Sequence, residues 1–203
     1  MLQPIIIGGV CMLDELELIQ KIKHGNTDAF SQLVKMYEKK AFNFAYRMLS
    51  DQQEAEDATQ EAFLRTFNKI DTFCGNSSFS TWFFTILNNI CLDILRKRSR
   101  TISAISINQS TDDEGEFELQ VEDDSPGPYE QLQKKTAQEI LEAGIELLSD
   151  EHRAVIIMRD INGMEYEDIG KILGISLGTV KSRISRARLA LRKILEKNKE
   201  LFL

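Results

Sequence analysis

The stretch GMEYEDIGKILGISLGTVKSRISRARLALRK, residues 163–193, decides the fold. Its first third reads as a short amphipathic helix over 164–173, with Ile169, Ile172 and Leu173 on the apolar side. Gly174 stops that helix. Ile175 leads to Ser176, whose hydroxyl is placed to accept a backbone N–H from the first turn of a second helix starting near Leu177. Two helices around a glycine turn make a helix-turn-helix. In the second, Val180, Ile184, Ala187 and Leu191 recur at +4, +3, +4 and give one buried stripe. The other faces are basic: Lys181, Arg183, Arg186, Arg188, Arg192 and Lys193 occur with no acid among them. Thr179, Ser182 and Arg186 share one exposed face, and Lys181, Ser185, Arg188 and Arg192 line its neighbour. Short hydroxyls beside long cations suit a DNA major groove, where base edges and phosphates lie within one helix's reach. Charge alone would equally describe a solvated helix, but the glycine turn and the capped start favour DNA reading.

Working outward, 203 residues with 42% hydrophobic content can bury one sizeable core or two small ones. The net charge of −7 opposes DNA binding only on average. Residues 101–130 hold Asp112, Asp113, Glu114, Glu116, Glu118, Glu122, Asp123, Asp124 and Glu130 with no Lys or Arg, so the remainder is net basic. Pro126 and Pro128 fall in the same segment, which has neither helical nor strand periodicity over 101–129 and reads as a flexible acidic linker. It splits the chain into an N-terminal unit, 12–100, and a C-terminal unit, 130–203, tethered rather than fused. The first eleven residues read as a poorly ordered extension ahead of Met12.

Everything assignable in both units is helix, so the expected class is all-α with two small helical domains. Residues 14–23 carry Leu16, Leu18, Ile19 and Ile22; Thr27 or Asp28 is positioned to cap a second helix containing Phe30, Leu33, Val34 and Tyr37. Residues 54–70 form a third, with Ala58, Ala62, Phe63, Phe67 and Ile70 inward. Glu54, Glu56, Asp57, Gln60 and Glu61 crowd its first turns, where acids suit either the helix dipole or a docking face. A polar loop over 71–78 precedes a fourth helix, 82–98, started by Ser80 or Thr81, whose stripe is Phe83, Leu87, Ile90 and Ile94. Asn89, Asp93 and Arg96 occupy another face, and Arg96, Lys97 and Arg98 end it in a basic tail suited to phosphates. Helices are also expected over 130–148 and from about Ser149 to Asn162 and Gly163.

Cys11, Cys74 and Cys91 form neither a CxxC pair nor a disulfide framework, which favours a reducing cytoplasmic setting. With His24 and His152 as the chain's two imidazoles, no metal and no cofactor are expected. No apolar run reaches the roughly 18–20 residues a bilayer span needs. No Ser/His/Asp set, phosphate loop or paired-carboxylate motif is visible, so an enzyme reading has little support. Glu165, Glu167 and Asp168 are expected to face solvent or a protein partner.

Three motifs match a known family. The run from Phe73 through Cys74, Gly75, Asn76, Ser77, Ser78, Phe79, Ser80 and Thr81 to Trp82, followed by Asn88, Asn89 and Asp93, is similar to the promoter-melting region of extracytoplasmic-function sigma factors. Residues 178–188 resemble their region 4 recognition helix, and 56–63 their region 2.2, which grips the clamp helices of RNA polymerase. The resemblance covers 12 to about 195 in the expected order. It implies that Phe73 and the loop through Asn76, Ser77 and Ser80 hold a flipped base of the −10 element, that Asn89 reads a base edge there, and that Trp82 belongs to the same −10 DNA site, although its apolar neighbours favour packing the loop against the helix over stacking on DNA. It further implies that Lys181, Ser182, Ser185 and Arg186 meet the −35 element, with Arg183 and Arg188 towards the backbone. The implied partners are core RNA polymerase (clamp helices and flap), promoter DNA and an anti-sigma factor, which could hold the chain at a membrane. One departure is Cys74, where the family commonly has Arg, which removes a phosphate contact. Without the resemblance, a helix-turn-helix regulator binding duplex DNA by itself, with 12–100 as a sensing or dimerising domain, would be the runner-up.

Overall fold

The computed structural model describes residues 6–7, 10–109 and 137–197. Among them eight α-helices build the chain: α1 Met12–Lys23, α2 Thr27–Leu49, α3 Gln52–Lys69, α4 Phe79–Gln109, α5 Ala137–Glu146, α6 Asp150–Ile156, α7 Tyr166–Leu173 and α8 Leu177–Lys197. A 3₁₀ turn, Ile70–Thr72, follows α3, and a π-helical turn, Ile157–Ile161, extends α6. The expected all-α class holds. Of the expected extension over 1–11, the described residues Ile6–Ile7 and Val10–Cys11 pair as a two-residue antiparallel ladder.

Polar side chains set the helix starts, often one position from the expected residue. Asn26 Oδ1, not Thr27 or Asp28, accepts the Ala29 N–H at 2.9 Å, and Asp51 accepts from Glu54 at 2.8 Å. Ser78 caps α4 by accepting from Thr81 at 3.1 Å, so the helix begins earlier than expected. Each such cap satisfies an amide that would otherwise lack a partner, for about 1 kcal/mol. Between α2 and α3 the chain turns through Ser50, in the left-handed region at φ 55°.

The N-terminal core is aromatic. Phe83 is fully buried against Phe63 (ring centroids 4.8 Å), Phe84 (5.5 Å) and Phe79 (6.1 Å), while Tyr37 closes over Phe79 at 5.3 Å. The C-terminal core joins Val155, Ile156, Ile157 and Met158 of the α6 segment to Ile169 of α7 and the expected α8 stripe, Val180, Ile184 and Ala187; Leu191 is half-buried. Gly174, in the left-handed region at φ 65°, returns its N–H to the Gly170 carbonyl and turns α7 into α8.

Two expectations about the linker are corrected. The fourth helix does not stop at Arg98 but runs to Gln109, taking the first nine residues of the expected linker into helix; the acidic remainder and 130–136 lie outside the described residues. Nor are the two units merely tethered. Arg153 of α6 is 9% exposed and donates to the Met48 carbonyl at the end of α2 (2.8 Å), as well as to the carbonyls of Glu146 and Leu148 in its own unit. Arg47 pairs with Glu142 at 3.0 Å, and the Thr81 hydroxyl donates to Asp168 of α7 at 2.9 Å. The units pack together because the α2 C-terminus offers the Met48 carbonyl to Arg153 of the other unit, beside the Leu49 carbonyl that Arg98 takes from within its own.

Candidate nucleic-acid interface

On α8 the helix-turn-helix geometry is as expected. Ser176 accepts the Thr179 N–H at 3.2 Å, and the two hydroxyls lie 2.8 Å apart. With Val180, Ile184 and Ala187 anchored inward, Lys181, Ser185 and Arg186 are exposed and Thr179 and Ser182 half-buried beside them. Arg186 Nη2 donates to Ser182 Oγ at 3.2 Å, a contact weak enough to exchange for a base or phosphate. Arg183 and Arg188 are less available. Arg183 pairs with Glu151 at 3.0 Å, and Arg188 makes a two-point pair with Asp160, its Nε 3.0 Å from Oδ2. The Asp160 carboxylate beside it raises the Arg188 pKa, chiefly through that hydrogen bond.

The second expected site is reorganised. Phe73 is buried: it is 6% exposed, its ring packed edge-on to Phe79 (5.9 Å) and tilted on Trp82 (5.3 Å). An aromatic ring opening a polar loop finds more apolar surface inward than outward. Trp82 packs against the loop as expected. Beyond Phe73 the loop presents exposed Cys74, Gly75 and Asn76 and half-buried Ser77 and Ser80, with Gly75 in the left-handed region at φ 73°. Cys74 Sγ donates to the Thr72 carbonyl at 3.3 Å, whereas burial pushes the Cys91 thiol up to about 12. Asn89 is exposed on α4, one residue from Asn88, which is 1% exposed and keeps its Oδ1 without a protein partner.

The basic tail also divides. Arg96 is exposed and pairs with Asp93 at 3.0 Å. Lys97 is exposed. Arg98 is instead a structural clamp, donating to the Leu49 carbonyl (2.8 Å) and forking onto Glu54 (Nε to Oε1, 3.2 Å). Two expected sites therefore satisfy each other, and neither Arg98 nor Glu54 is a free surface group. Glu56, Asp57, Gln60 and Glu61 stay exposed on α3, joined by Leu64 (64% exposed) and by Phe67, which was expected inward but is 40% exposed with its edge on Phe30. Cavity space of about 170 Å³ lies between Glu61 and Arg65 of α3 and Asp93, Arg96, Lys97 and Arg100 of α4.

Sequence reasoning missed Arg153 and Lys23; Asp168, expected to face solvent or a partner, instead accepts from Thr81, and Ser78, read as loop, is the α4 cap. Lys23, the last residue of α1, donates to the Phe73 carbonyl at 2.6 Å across 50 residues of chain. An arginine ahead of the apolar run 154–158 was a visible oddity, yet nothing in its spacing pointed to the end of α2.

Comparison with known proteins gives the family. The family description "Sigma-70 region 2" matches residues 33–101 and "Sigma-70, region 4" matches 138–191. The extracytoplasmic-function RNA polymerase sigma factor SigW of Bacillus subtilis is 36% identical over 175 residues, 86% of this chain and 93% of that protein. This chain is an extracytoplasmic-function sigma factor of the sigma-70 family. The RNA polymerase sigma-H factor of Pseudomonas aeruginosa is 31% identical, over 89% of this chain and 93% of its own. Among solved structures, the sigma factor RpoE of Bartonella quintana, crystallised with the anti-sigma factor NepR, superposes with a TM-score of 0.63 at 28% identity, covering 82% of this chain and 96% of that one. A sigma factor directs RNA polymerase to promoters as an initiation factor; the region 2 match runs from within α2 through most of α4, and the region 4 match from α5 into α8. No helix among its described residues is long and apolar enough to cross a membrane.

Proposed function

We propose that this sigma factor grips the −35 element as duplex through α8 and the −10 element as separated strand through the 74–80 loop and Asn89, while docking on core polymerase through the exposed face of α3. The observation that carries the reading is the α8 surface: Lys181, Ser185 and Arg186 exposed beside Thr179 and Ser182, on a helix whose opposite stripe is fully buried. Arg186 is the base reader, since it bridges only to a neighbouring hydroxyl, and Lys181 meets phosphate. Arg183 and Arg188 add backbone contacts by exchanging their carboxylate partners. On α3, Glu56, Asp57, Gln60 and Glu61 with Leu64 and Phe67 combine charge and apolar area as a docking face does. Arg96 and Lys97 steer phosphates of the opened strand.

The same reading requires the two regions to part. Elements named −35 and −10 lie roughly 25 base pairs apart, about 85 Å at 3.4 Å per pair. Regions that share hydrogen bonds through Arg153 and Thr81 do not bridge that span. Residues 110–136, extended at up to about 3.5 Å each, provide ~90 Å of reach. The factor acts in the cytoplasm, and the closed body is the form an anti-sigma partner would hold.

Footprinting a promoter fragment tests the assignment: protection of both elements is expected with core polymerase present and not with the factor alone, and full protection by the factor alone would reject it. Arg186→Ala is expected to weaken binding to the cognate −35 sequence by about 1–3 kcal/mol and to level discrimination at one base pair. An equal loss on every sequence in the same binding assay would make Arg186 a phosphate contact instead.

A further inference from the structure

We infer that Lys23 is a positioning residue for strand capture, the strut that fixes where the −10 loop leaves the core. This rests on the reading of the 74–80 loop given above. With the Phe73 ring locked among Phe79 and Trp82, the loop's entry direction is set by the Phe73 backbone, whose N–H already donates to the Ile70 carbonyl at 3.1 Å. The Phe73 carbonyl receives the Lys23 ammonium at 2.6 Å, a short charge-assisted bond to a half-buried side chain. Lys23 ends α1, and α1 is itself pinned by Ile19 and Ile22, 1% and 3% exposed, so the strut has a rigid base.

A lysine in the last turn of a helix ordinarily sits near its own terminal carbonyls in favour of the dipole. This one instead crosses to a carbonyl of another element, ordering a four-carbon side chain to do so, which is the expense a surface lysine avoids. The loop's other end is equally fixed. Ser78 accepts from the Thr81 amide, and the Ser78 and Thr81 hydroxyls lie 2.7 Å apart. Residues 74–77 therefore hang between two anchored points with Gly75 as their one left-handed joint. A loop that must catch a base while it is briefly unstacked gains from having its shape set beforehand, because ordering it at the moment of capture would subtract from binding. Lys23 supplies half of that order from outside the motif, and its undischarged cation adds attraction for the strand's phosphates.

The test uses the holoenzyme, reconstituted from core polymerase and the factor, with a promoter carrying 2-aminopurine in the −10 element of the non-template strand, whose fluorescence rises on unstacking. Lys23→Met is expected to lower the opening equilibrium about tenfold, as loss of one charge-assisted hydrogen bond implies. Binding to a duplex bearing only the −35 element should stay near wild type. Lys23→Arg should restore opening to within about twofold, since the guanidinium keeps both donor and charge. Asn89→Ala serves as the internal control, expected to impair opening with the strut intact. Opening by Lys23→Met at the wild-type level while Asn89→Ala is defective would overturn the role of Lys23 alone. Normal opening by both variants would overturn the −10 assignment of the loop and the strut with it. A Lys23→Met defect equal on the −35-only duplex, or one that Lys23→Arg fails to repair, would reduce Lys23 to a general stabiliser and overturn the inference.

Discussion

Phe73→Ala is expected to lower the unfolding free energy by about 3–5 kcal/mol, the usual cost of emptying a buried aromatic site. The ring is 6% exposed and touches Phe79 and Trp82, so truncation leaves a void under the loop that neighbours fixed by their own contacts fill only in part. The promoter defect of such a variant follows from the collapsed loop and should appear together with a lowered denaturant midpoint. Phe73→Leu, which keeps most of the volume, should cost far less, about 1.5 kcal/mol or below, and retain most strand opening. Chemical denaturation separates the cases. A Phe73→Ala protein as stable as wild type yet unable to open a promoter would mean that the ring swings out to meet a base, as the family resemblance alone implies.

Arg153→Met is the second large effect. It removes the donors serving the carbonyls of Met48, Glu146 and Leu148, and a carbonyl left buried without a partner costs about 1–3 kcal/mol. Burial weakens the guanidinium's hold on its proton, with Asp150 and Glu146 opposing that shift and Arg98 adding to it, but an arginine so placed stays charged at any working pH. Two of its three acceptors lie in region 4 and one in region 2, so two separate losses are expected. Region 4 should unfold at lower denaturant, by about 3 kcal/mol, and the two regions should lie farther apart in the free factor. Energy transfer between dyes on α3 and α8 reads the second loss: transfer efficiency should fall in Arg153→Met, and in the wild type on adding core polymerase. Unchanged transfer in both would mean that the closed body is not the free factor's resting state. Asp168→Ala, which severs only the Thr81 contact, should produce a smaller fall with region 4 stability unchanged.

The recognition helix was the most legible part of the chain, because three local signals agreed there. A left-handed glycine, a serine cap and a 3.6-residue apolar period all act within a few residues of one another. The α4 stripe Phe83, Leu87, Ile90 was equally readable, but Phe44, Phe79 and Phe84, buried beside it, fall outside that spacing. What periodicity did not carry was the target of each polar side chain. Arg98 and Glu54 looked like surface groups for two different partners, and 44 residues separate them in sequence, yet they bind each other. Arg153 and Met48 are 105 residues apart. The burial of Phe73 is hidden for a related reason: an aromatic at the mouth of a polar loop satisfies local rules whether it points in or out, and the faces of Phe79 and Trp82 turn it inward. Helix α4 outran its expected end because the acidic segment was judged by composition, whereas the turns just beyond Arg98 continue a helix already nucleated.

In the proposed mechanism one chain touches its promoter in two physical states at once, paired at α8 and unpaired at the 74–80 loop, and only when polymerase holds its two regions apart. Permanganate reactivity of thymines across a promoter measures this directly. Reactive thymines confined to the −10 element are predicted with factor and core polymerase together, and none with either component alone. Reactivity with the factor alone, or none with the reconstituted pair on any promoter it protects, would contradict it.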